Sequence, residues 1–209
     1  TNAIGAFVNG PEANNYYLAG PFVDYLKTNN DPRLKSISVR YVGAKSGPEQ
    51  VAARATTDPA LQIGMPMGYD NGTIIARATA DGLASFYDSS QMDRTRLGKI
   101  DAPCFLVTNA QTKLLLAEAV VRTWTTGDAA ALYSEAIRAH MVEMTQSSAN
   151  STIPTADIDT YIAAHPLDLG NALRDINTQY WVASFLNGPE AFANFRRSGF
   201  PALTKNPYP

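Results

Sequence analysis

The chain has 209 residues, of which 45% are hydrophobic and 17% are charged, and its net charge is -2 at pH 7. This length is enough to bury a sizeable core, and the composition is that of a globular protein with a rather neutral surface. There is no cluster of Lys or Arg, which argues against nucleic acid as a partner. No apolar run approaches the roughly 20 residues that a membrane-spanning helix needs.

Cys104 is the only cysteine, so the sequence offers neither a disulfide framework nor a thiolate metal site. The apolar run 105–107 beside it predicts a buried, unreactive thiol. Both histidines, His140 and His165, fall near predicted helix ends, where a surface cation is favoured, and neither has a second ligand at metal-binding spacing. We therefore expect no metal, no cofactor and no nucleophilic triad.

The first part of the chain predicts short elements separated by turns. Residues 1–10 are small and polar and predict a loop. Residues 14–27 predict a helix that Pro21 starts or bends. This helix is expected to end within residues 29–32, because the residue before a proline avoids helical geometry. Alternation of apolar and polar residues over 37–41 predicts a half-buried strand.

Residues 43–90 are rich in turn-forming residues and hold few regular signals beyond a helical turn or two over 49–55. A segment this long with little regular structure is often functional, so we place the candidate site here. Its aromatic and amide side chains suit a sugar ring and its hydroxyl groups, although the pair at 86–87 fits equally well as core residues that anchor the loop. The candidate ligand-binding residues are Tyr69, Asp70, Asn71, Phe86 and Tyr87.

Residues 108–144 predict two helices folded back as an antiparallel hairpin, on which the rest of the chain is expected to pack. Thr108 and Gln111 form a capping-box pattern at its start. Gly127 is a helix stop, and Asp128 is placed to cap the second helix. The apolar side chains expected in its core are Leu115, Leu116, Trp124, Leu132 and Val142.

Three more helices are predicted after the hairpin. A short one runs over 155–165 and a longer one opens at Asn171. The last follows Gly188, carries Phe192 and Phe195 inward, and ends at a glycine.

The predicted fold is mostly α, with a helical-repeat-like (TPR-like) hairpin packed against C-terminal helices and an irregular loop-rich segment with short strands. We expect one domain over 1–209. Within it, 1–102 would hold a helix and the loop-rich segment, and 103–200 would form the helical core.

Several motifs, in order along the chain, resemble those of the SusD/RagB family, the nutrient-binding lipoproteins of Bacteroidetes outer membranes. Together they extend over about five-sixths of the sequence. The matching segments are DPRL at 31–34, TNAQ at 108–111, LAEA at 116–119, GD at 127–128, NTQYW at 177–181, FLNGPEAF at 185–192 and FRRSGFP at 195–201. In the family's exit motif, Ser198 stands where Thr is usual and Phe200 where Tyr is usual.

This resemblance implies a non-catalytic role at the cell surface. The expected partners are an oligosaccharide or other nutrient ligand and a SusC-like TonB-dependent transporter in the outer membrane. The family's N-terminal helical repeats, signal peptide and lipid-bearing cysteine have no counterpart in the sequence. We therefore expect a piece of a longer SusD-like protein, with membrane attachment only through a lipid anchor absent from this chain.

Two other functions stay open at this stage. A carbohydrate-active hydrolase needs two carboxylates across a sugar-sized cleft, and Asp70, Asp81 and Asp88 could supply such a pair. Asp157 and Asp159 are better explained as acidic residues in the first turn of a helix. A helical protein-interaction module would use the predicted hairpin instead.

Overall fold

The structure, a computed structural model, describes residues 2–10 and 13–205. The chain divides into two compact units. Unit 1 comprises Thr1–Pro103, Thr145–Thr152 and Lys205–Pro209, and unit 2 comprises Cys104–Met144 and Ile153–Thr204. No described helix is both long enough and apolar enough to cross a bilayer.

Unit 1 contains four α-helices among its described residues: α1 (Ala3–Val8), α2 (Gly20–Thr28), α3 (Arg33–Ile37) and α4 (Thr73–Ala80). The prediction of a loop over 1–10 was wrong. The Asn2 side chain caps α1 by accepting a hydrogen bond from Gly5 N at 3.2 Å. This capping residue is a signal for a helix, but the small residues around it concealed that signal. The helix predicted over 14–27 begins only at Gly20, with Pro21 in its first turn, as proline's fixed φ allows.

A three-stranded antiparallel sheet lies in the middle of unit 1. Its strands are β1 (Ser38–Tyr41), β2 (Ala55–Thr56) and β3 (Gln91–Met92), in the order β2-β1-β3. Arg40 pairs with Thr56 and Ser38 with Met92. The strand predicted over 37–41 is confirmed, but all four residues of β1 are buried rather than alternate ones. The central strand is covered on both faces, which alternation cannot reveal.

The connection between β1 and β3 is loop-rich, as predicted, and is built mainly from short 3-10 turns. The turns are Gly47–Glu49, Ala52–Arg54, Pro59–Leu61 and Phe86–Asp88. Helix α4 lies within this connection and was not predicted.

A buried ion pair fixes the turn Phe86–Asp88 to β1. Arg40 Nε donates to Asp88 Oδ1 at 2.9 Å and Nη2 donates to Asp88 Oδ2 at 3.1 Å. The side chains of Arg40 and Asp88 are only 9% and 3% exposed. The same carboxylate accepts from the backbone of Gly43 at 2.9 Å and Ala84 at 3.2 Å. Every oxygen of this buried anion is therefore satisfied, the condition under which a buried charge is tolerated.

Unit 2 is helical throughout its regular structure in the described residues: α5 (Asn109–Val121), α6 (Ala129–Glu143), α7 (Thr155–Ala164), α8 (Ala172–Ala183) and α9 (Gly188–Ser198). Helix α5 packs chiefly on α6 and α8, and α9 packs on α8. The capping box of Thr108 and Gln111 is present, and Asp128 caps α6 by accepting from Ala131 N at 3.0 Å. The mostly helical fold with short strands is confirmed.

The buried face of α5 differs from the predicted one. Leu114 is 1% exposed, whereas Leu116 is 45% exposed. The inward face also carries Glu118, whose carboxylate accepts from Arg197 Nη2 at 2.8 Å and from Arg122 Nε at 2.7 Å. Burial alone would raise the pKa of Glu118, but these two arginines outweigh it and lower the pKa. The inward face of α5 therefore combines Leu114 with a charged network, and the predicted core residue Leu116 lies outside it.

Other expected core residues of unit 2 lie at the surface. Trp124 is 73% exposed because α5 ends at Val121 and Thr123 takes a left-handed φ of 60°. The guanidinium of Arg122 lies 5.4 Å from the centre of the Trp124 ring. Leu115, Val142 and Phe192 are also exposed, and Leu132 and Phe195 are partly buried.

The predictions for Cys104 and His140 were both wrong. Cys104 is exposed, in an extended segment ahead of α5 where no regular element covers it. His140 is buried, because it lies on the inward face of α6 with Ile137 and Met141.

Leu114 and Leu116 of α5 provide a matched test of this helix orientation. We expect Leu114→Ala to lower the free energy of unfolding by about 2–5 kcal/mol, because it leaves a cavity. Leu116→Ala should cost less than about 1 kcal/mol, since that side chain is already largely in solvent. Urea denaturation of both variants measures the difference, and equal losses would contradict the orientation of α5.

The Arg40–Asp88 pair should matter far more to stability than an exposed pair. Asp88→Ala leaves Arg40 buried without a counter-ion, so we expect a loss of about 3–5 kcal/mol in the free energy of unfolding. Asp81→Ala is the control, because Asp81 pairs with Arg77 at 2.8 Å near the surface and should contribute about 0–1 kcal/mol. A small effect at Asp88 in the same denaturation experiment would show that the turn is held by other contacts.

Candidate functional site

Three aromatic side chains of unit 1 form a cluster that we call the aromatic patch: Tyr17, Phe86 and Tyr87. The rings of Phe86 and Tyr87 are stacked, with centroids 4.1 Å apart and planes inclined by 29°. The ring of Tyr17 meets Phe86 edge to face at a centroid distance of 6.2 Å. All three residues are partly exposed, so the cluster is open to a ligand.

Local hydrogen bonds fix the turn that carries Phe86 and Tyr87. Ser85 Oγ accepts from Tyr87 N at 3.0 Å and donates to Ala44 O at 2.8 Å. Tyr87 packs against the buried cluster of Val39, Tyr41 and Ala44. Together with the buried Asp88, these contacts hold the two rings in place without a helix or a long strand.

Gln50 joins the two sides of the aromatic patch. Its Nε2 donates to Tyr17 Oη at 3.3 Å and to Tyr87 O at 2.9 Å. Its Oε1 accepts from Arg94 Nη2 at 3.0 Å. Burial raises the pKa of Tyr17 to about 12, so its hydroxyl stays protonated at neutral pH and can donate to a ligand.

Arg94 is joined to the patch through Gln50. Its Nη2 also donates to Ala13 O at 2.7 Å and to Gln91 Oε1 at 2.5 Å, and its guanidinium lies 5.7 Å from the centre of the Tyr41 ring. Burial raises the pKa of Tyr41, while the charge of Arg94 opposes that rise.

Asp70 serves the backbone at the start of α4. Its Oδ1 accepts from Gly72 N at 3.0 Å, from Thr73 N at 2.8 Å and from Thr73 Oγ1 at 2.7 Å. These bonds, led by the one from the Thr73 hydroxyl, lower the pKa of Asp70. This oxygen is therefore already engaged, as in a helix cap. Asn71 is exposed in the same turn.

Tyr69 is held by α4 through Arg77. Arg77 Nη1 donates to Tyr69 Oη at 3.3 Å, and the guanidinium lies 5.7 Å from the centre of the ring. The five candidate residues thus fall into two groups. Phe86 and Tyr87 cluster with Tyr17, whereas Tyr69, Asp70 and Asn71 surround the start of α4.

The three loop aspartates of the hydrolase alternative all have local structural roles. Asp70 accepts from the backbone at the start of α4, Asp81 pairs with Arg77, and Asp88 is buried against Arg40. His165 Nδ1 lies 2.9 Å from Tyr161 O, and its ring stacks on Tyr161 at 4.2 Å. Among the described residues, no group of three or more His, Cys, Asp or Glu side chains is placed to hold a metal ion.

Sequence reasoning missed Tyr17, Gln50 and Arg94. Tyr17 was assigned to the apolar side of a helix, but it lies in an extended segment before α2. The run Asn-Asn-Tyr-Tyr at 14–17 has the composition of a polar ligand-binding surface, and it was the one available signal. As a unit, the patch offers flat rings beside amide, hydroxyl and guanidinium donors, a combination suited to stacking on a sugar ring and bonding its hydroxyls.

Solved structures of known proteins are similar to this chain. A chitin-binding protein matches with a TM-score of 0.70 at 28% identity, covering 89% of this chain and 38% of that one. The SusD-like Bacteroidetes protein AC2a matches with a TM-score of 0.70 at 25% identity, covering 97% and 47%. A SusD homologue from Bacteroides fragilis NCTC 9343 matches with a TM-score of 0.70 at 25% identity, covering 95% and 43%. The chain thus spans less than half the length of each of these structures.

No curated protein gave a significant match. A family model, SusD-like, described as starch-binding associating with the outer membrane, matches residues 3–209. This match confirms the resemblance carried by the motifs between 31 and 201. Because it extends over almost the whole sequence, the chain belongs to the SusD-like family.

Proposed function

We propose that unit 1 binds a glycan through the aromatic patch, without cleaving it, at the surface of the outer membrane. The observation that carries this proposal is the partly exposed stack of Phe86 and Tyr87, braced by Tyr17 and Gln50. A sugar ring has an apolar face and a rim of hydroxyls, so it gains both from stacking on a ring and from nearby polar groups.

The family supports a carbohydrate as the ligand. Its description names starch binding and association with the outer membrane, and one similar structure is of a chitin-binding protein. Pre-organisation supports it too, because rings fixed by Ser85 and Asp88 lose little freedom when a ligand stacks on them.

The absence of catalysis is part of the proposal. General acid–base cleavage of a glycoside uses two carboxylates on either side of the bond. The aspartates that could have formed such a pair in unit 1 are engaged with Thr73, Arg77 and Arg40. The chemistry that remains at the patch is that of binding.

We also propose that the bound glycan is passed to a SusC-like TonB-dependent transporter, with a lipid anchor outside this sequence providing the only membrane attachment. These two steps rest on the family alone. The helical protein-interaction function is the alternative, and the hairpin of α5 and α6, with exposed Trp124 at its turn, would then be the functional surface.

Phe86→Ala tests the aromatic patch. We expect it to weaken binding of starch or chitin oligosaccharides by at least about tenfold, or 1.4 kcal/mol, because it removes the central ring of the cluster. Isothermal titration with a panel of oligosaccharides measures the change. Phe192→Ala is the matched control, since Phe192 is exposed on unit 2 and should leave affinity unchanged.

A reducing-sugar release assay on the same panel separates binding from turnover. Release of sugar by the wild-type chain would contradict the non-catalytic role. Binding that survives Phe86→Ala would place the ligand elsewhere. A chain that neither binds nor releases sugar would favour the helical protein-interaction function.

Tyr69→Ala tests whether the α4 group belongs to the same function. We propose that the Tyr69 ring, held by Arg77, is a second stacking surface with Asp70 and Asn71 beside it. We expect the substitution to weaken glycan retention at least about tenfold with the melting temperature nearly unchanged, because Arg77 and its partner Asp81 are near the surface. Ile75→Ala, at an exposed position of α4, is the control. A large drop in melting temperature, or unchanged retention, would show that Tyr69 only anchors the loop.

A further inference from the structure

Arg94 differs from the other arginines of unit 1 in its charge environment. Unit 1 contains six arginines. Five of them form ion pairs with a carboxylate, and Arg94 forms none with any described residue. The five pairs are Arg33–Asp31, Arg40–Asp88, Arg54–Glu49, Arg77–Asp81 and Arg96–Asp93.

The partners of Arg94 fix its position but do not neutralise it. Its hydrogen bonds to the described residues all leave from Nη2 and reach neutral oxygens of Ala13, Gln50 and Gln91. The Tyr41 ring at 5.7 Å is also uncharged. A full positive charge is therefore held in one place, in a chain whose overall charge is negative.

Nε and Nη1 of Arg94 donate to no acceptor among the described residues. In that part of the chain, Ser151 Oγ is the one buried side-chain polar atom without a hydrogen-bond partner. Nε and Nη1 are therefore not fully buried, and each of these two donors, which lie on opposite sides of the guanidinium, can meet solvent.

Arg94 lies next to the aromatic patch. Gln50 contacts Arg94 through Oε1 and Tyr17 through Nε2, so one side chain separates the guanidinium from the patch. The charge of Arg94 acts on the hydroxyls of Tyr17 and Tyr41. A ligand stacked on the patch would lie within the field of a cation that pairs with no carboxylate among the described residues.

We propose that the glycan recognised at the aromatic patch carries an anionic group, a sugar carboxylate or sulfate ester, and that the charge of Arg94 attracts it, with Nε or Nη1 as the hydrogen-bond donor. The inference rests on the proposed glycan-binding function and names the substrate class of that same site. A neutral glycan would supply no negative charge to pair with Arg94. A carboxylate or sulfate would supply the opposite charge and accept a charge-assisted hydrogen bond from one of these donors.

The test compares ligands that differ only in charge. Isothermal titration of the wild-type chain at low salt uses galacturonate oligosaccharides and the same oligosaccharides as methyl esters. We expect the charged form to bind at least about tenfold more tightly, the effect of one charge-assisted bond, and to lose that advantage as salt is raised. A second arm compares sulfated galactan oligosaccharides with desulfated ones, and the arm with the larger preference identifies the anionic group.

Two variants locate the preference. Arg94→Gln should reduce the preference for the charged ligand to about onefold while binding of the ester persists, and Arg94→Lys should retain part of it. Arg54→Gln is the matched control, because Arg54 is already paired with Glu49, and it should keep the full preference. Arg94→Gln also removes bonds to Ala13 and Gln91, so melting temperatures are recorded. If it unfolds, Arg94→Lys takes its place, and a partial loss of the preference in that variant assigns the preference to Arg94.

The outcomes separate this inference from the proposed function. Neutral ligands that bind through Phe86 as tightly as charged ones would overturn the role of Arg94 and leave glycan binding intact. A preference for charge that persists in Arg94→Gln would assign it to another cation. Failure of all the oligosaccharides to bind would overturn both.

Discussion

The site in unit 1 depends on the burial of Asp88 against Arg40. The carboxylate accepts from the guanidinium and from the backbone of Gly43 and Ala84, so it ties β1 to the loops on both sides of the turn Phe86–Asp88. Arg40 Nη1 also donates to Leu61 O at 2.7 Å, which adds a third loop. A loop-rich segment has little regular hydrogen bonding of its own. One fully satisfied buried ion pair can instead position two aromatic rings, because breaking it would leave an unpaired charge in the interior.

Local signals in the sequence were reliable where the physics is local. The capping box of Thr108 and Gln111, the cap at Asp128 and the left-handed Gly199 that ends α9 all depend on residues within one helical turn. The strand over 37–41 could be predicted for the same reason. The mostly helical fold followed from these signals together with the family motifs.

Which side chains are buried, and which meet in a site, could not be read in this way. Leu116 and Trp124 have the apolar character of core residues, yet the charged contacts of Glu118 decide which face of α5 is inward. Tyr17 and Phe86 are 69 residues apart in sequence and meet only through folding. Loop composition located Phe86 and Tyr87 as candidates, but Tyr17, Gln50 and Arg94 required the structure.

The central claim is that a glycan stacks on Tyr17, Phe86 and Tyr87, and ring-proton NMR during an oligosaccharide titration tests it most directly. The account predicts saturable shifts of the ring signals of these three residues, with little change at exposed Phe192 in unit 2. Shifts confined to Trp124 or Phe192, with the ring signals of the patch unmoved at saturation, would contradict it.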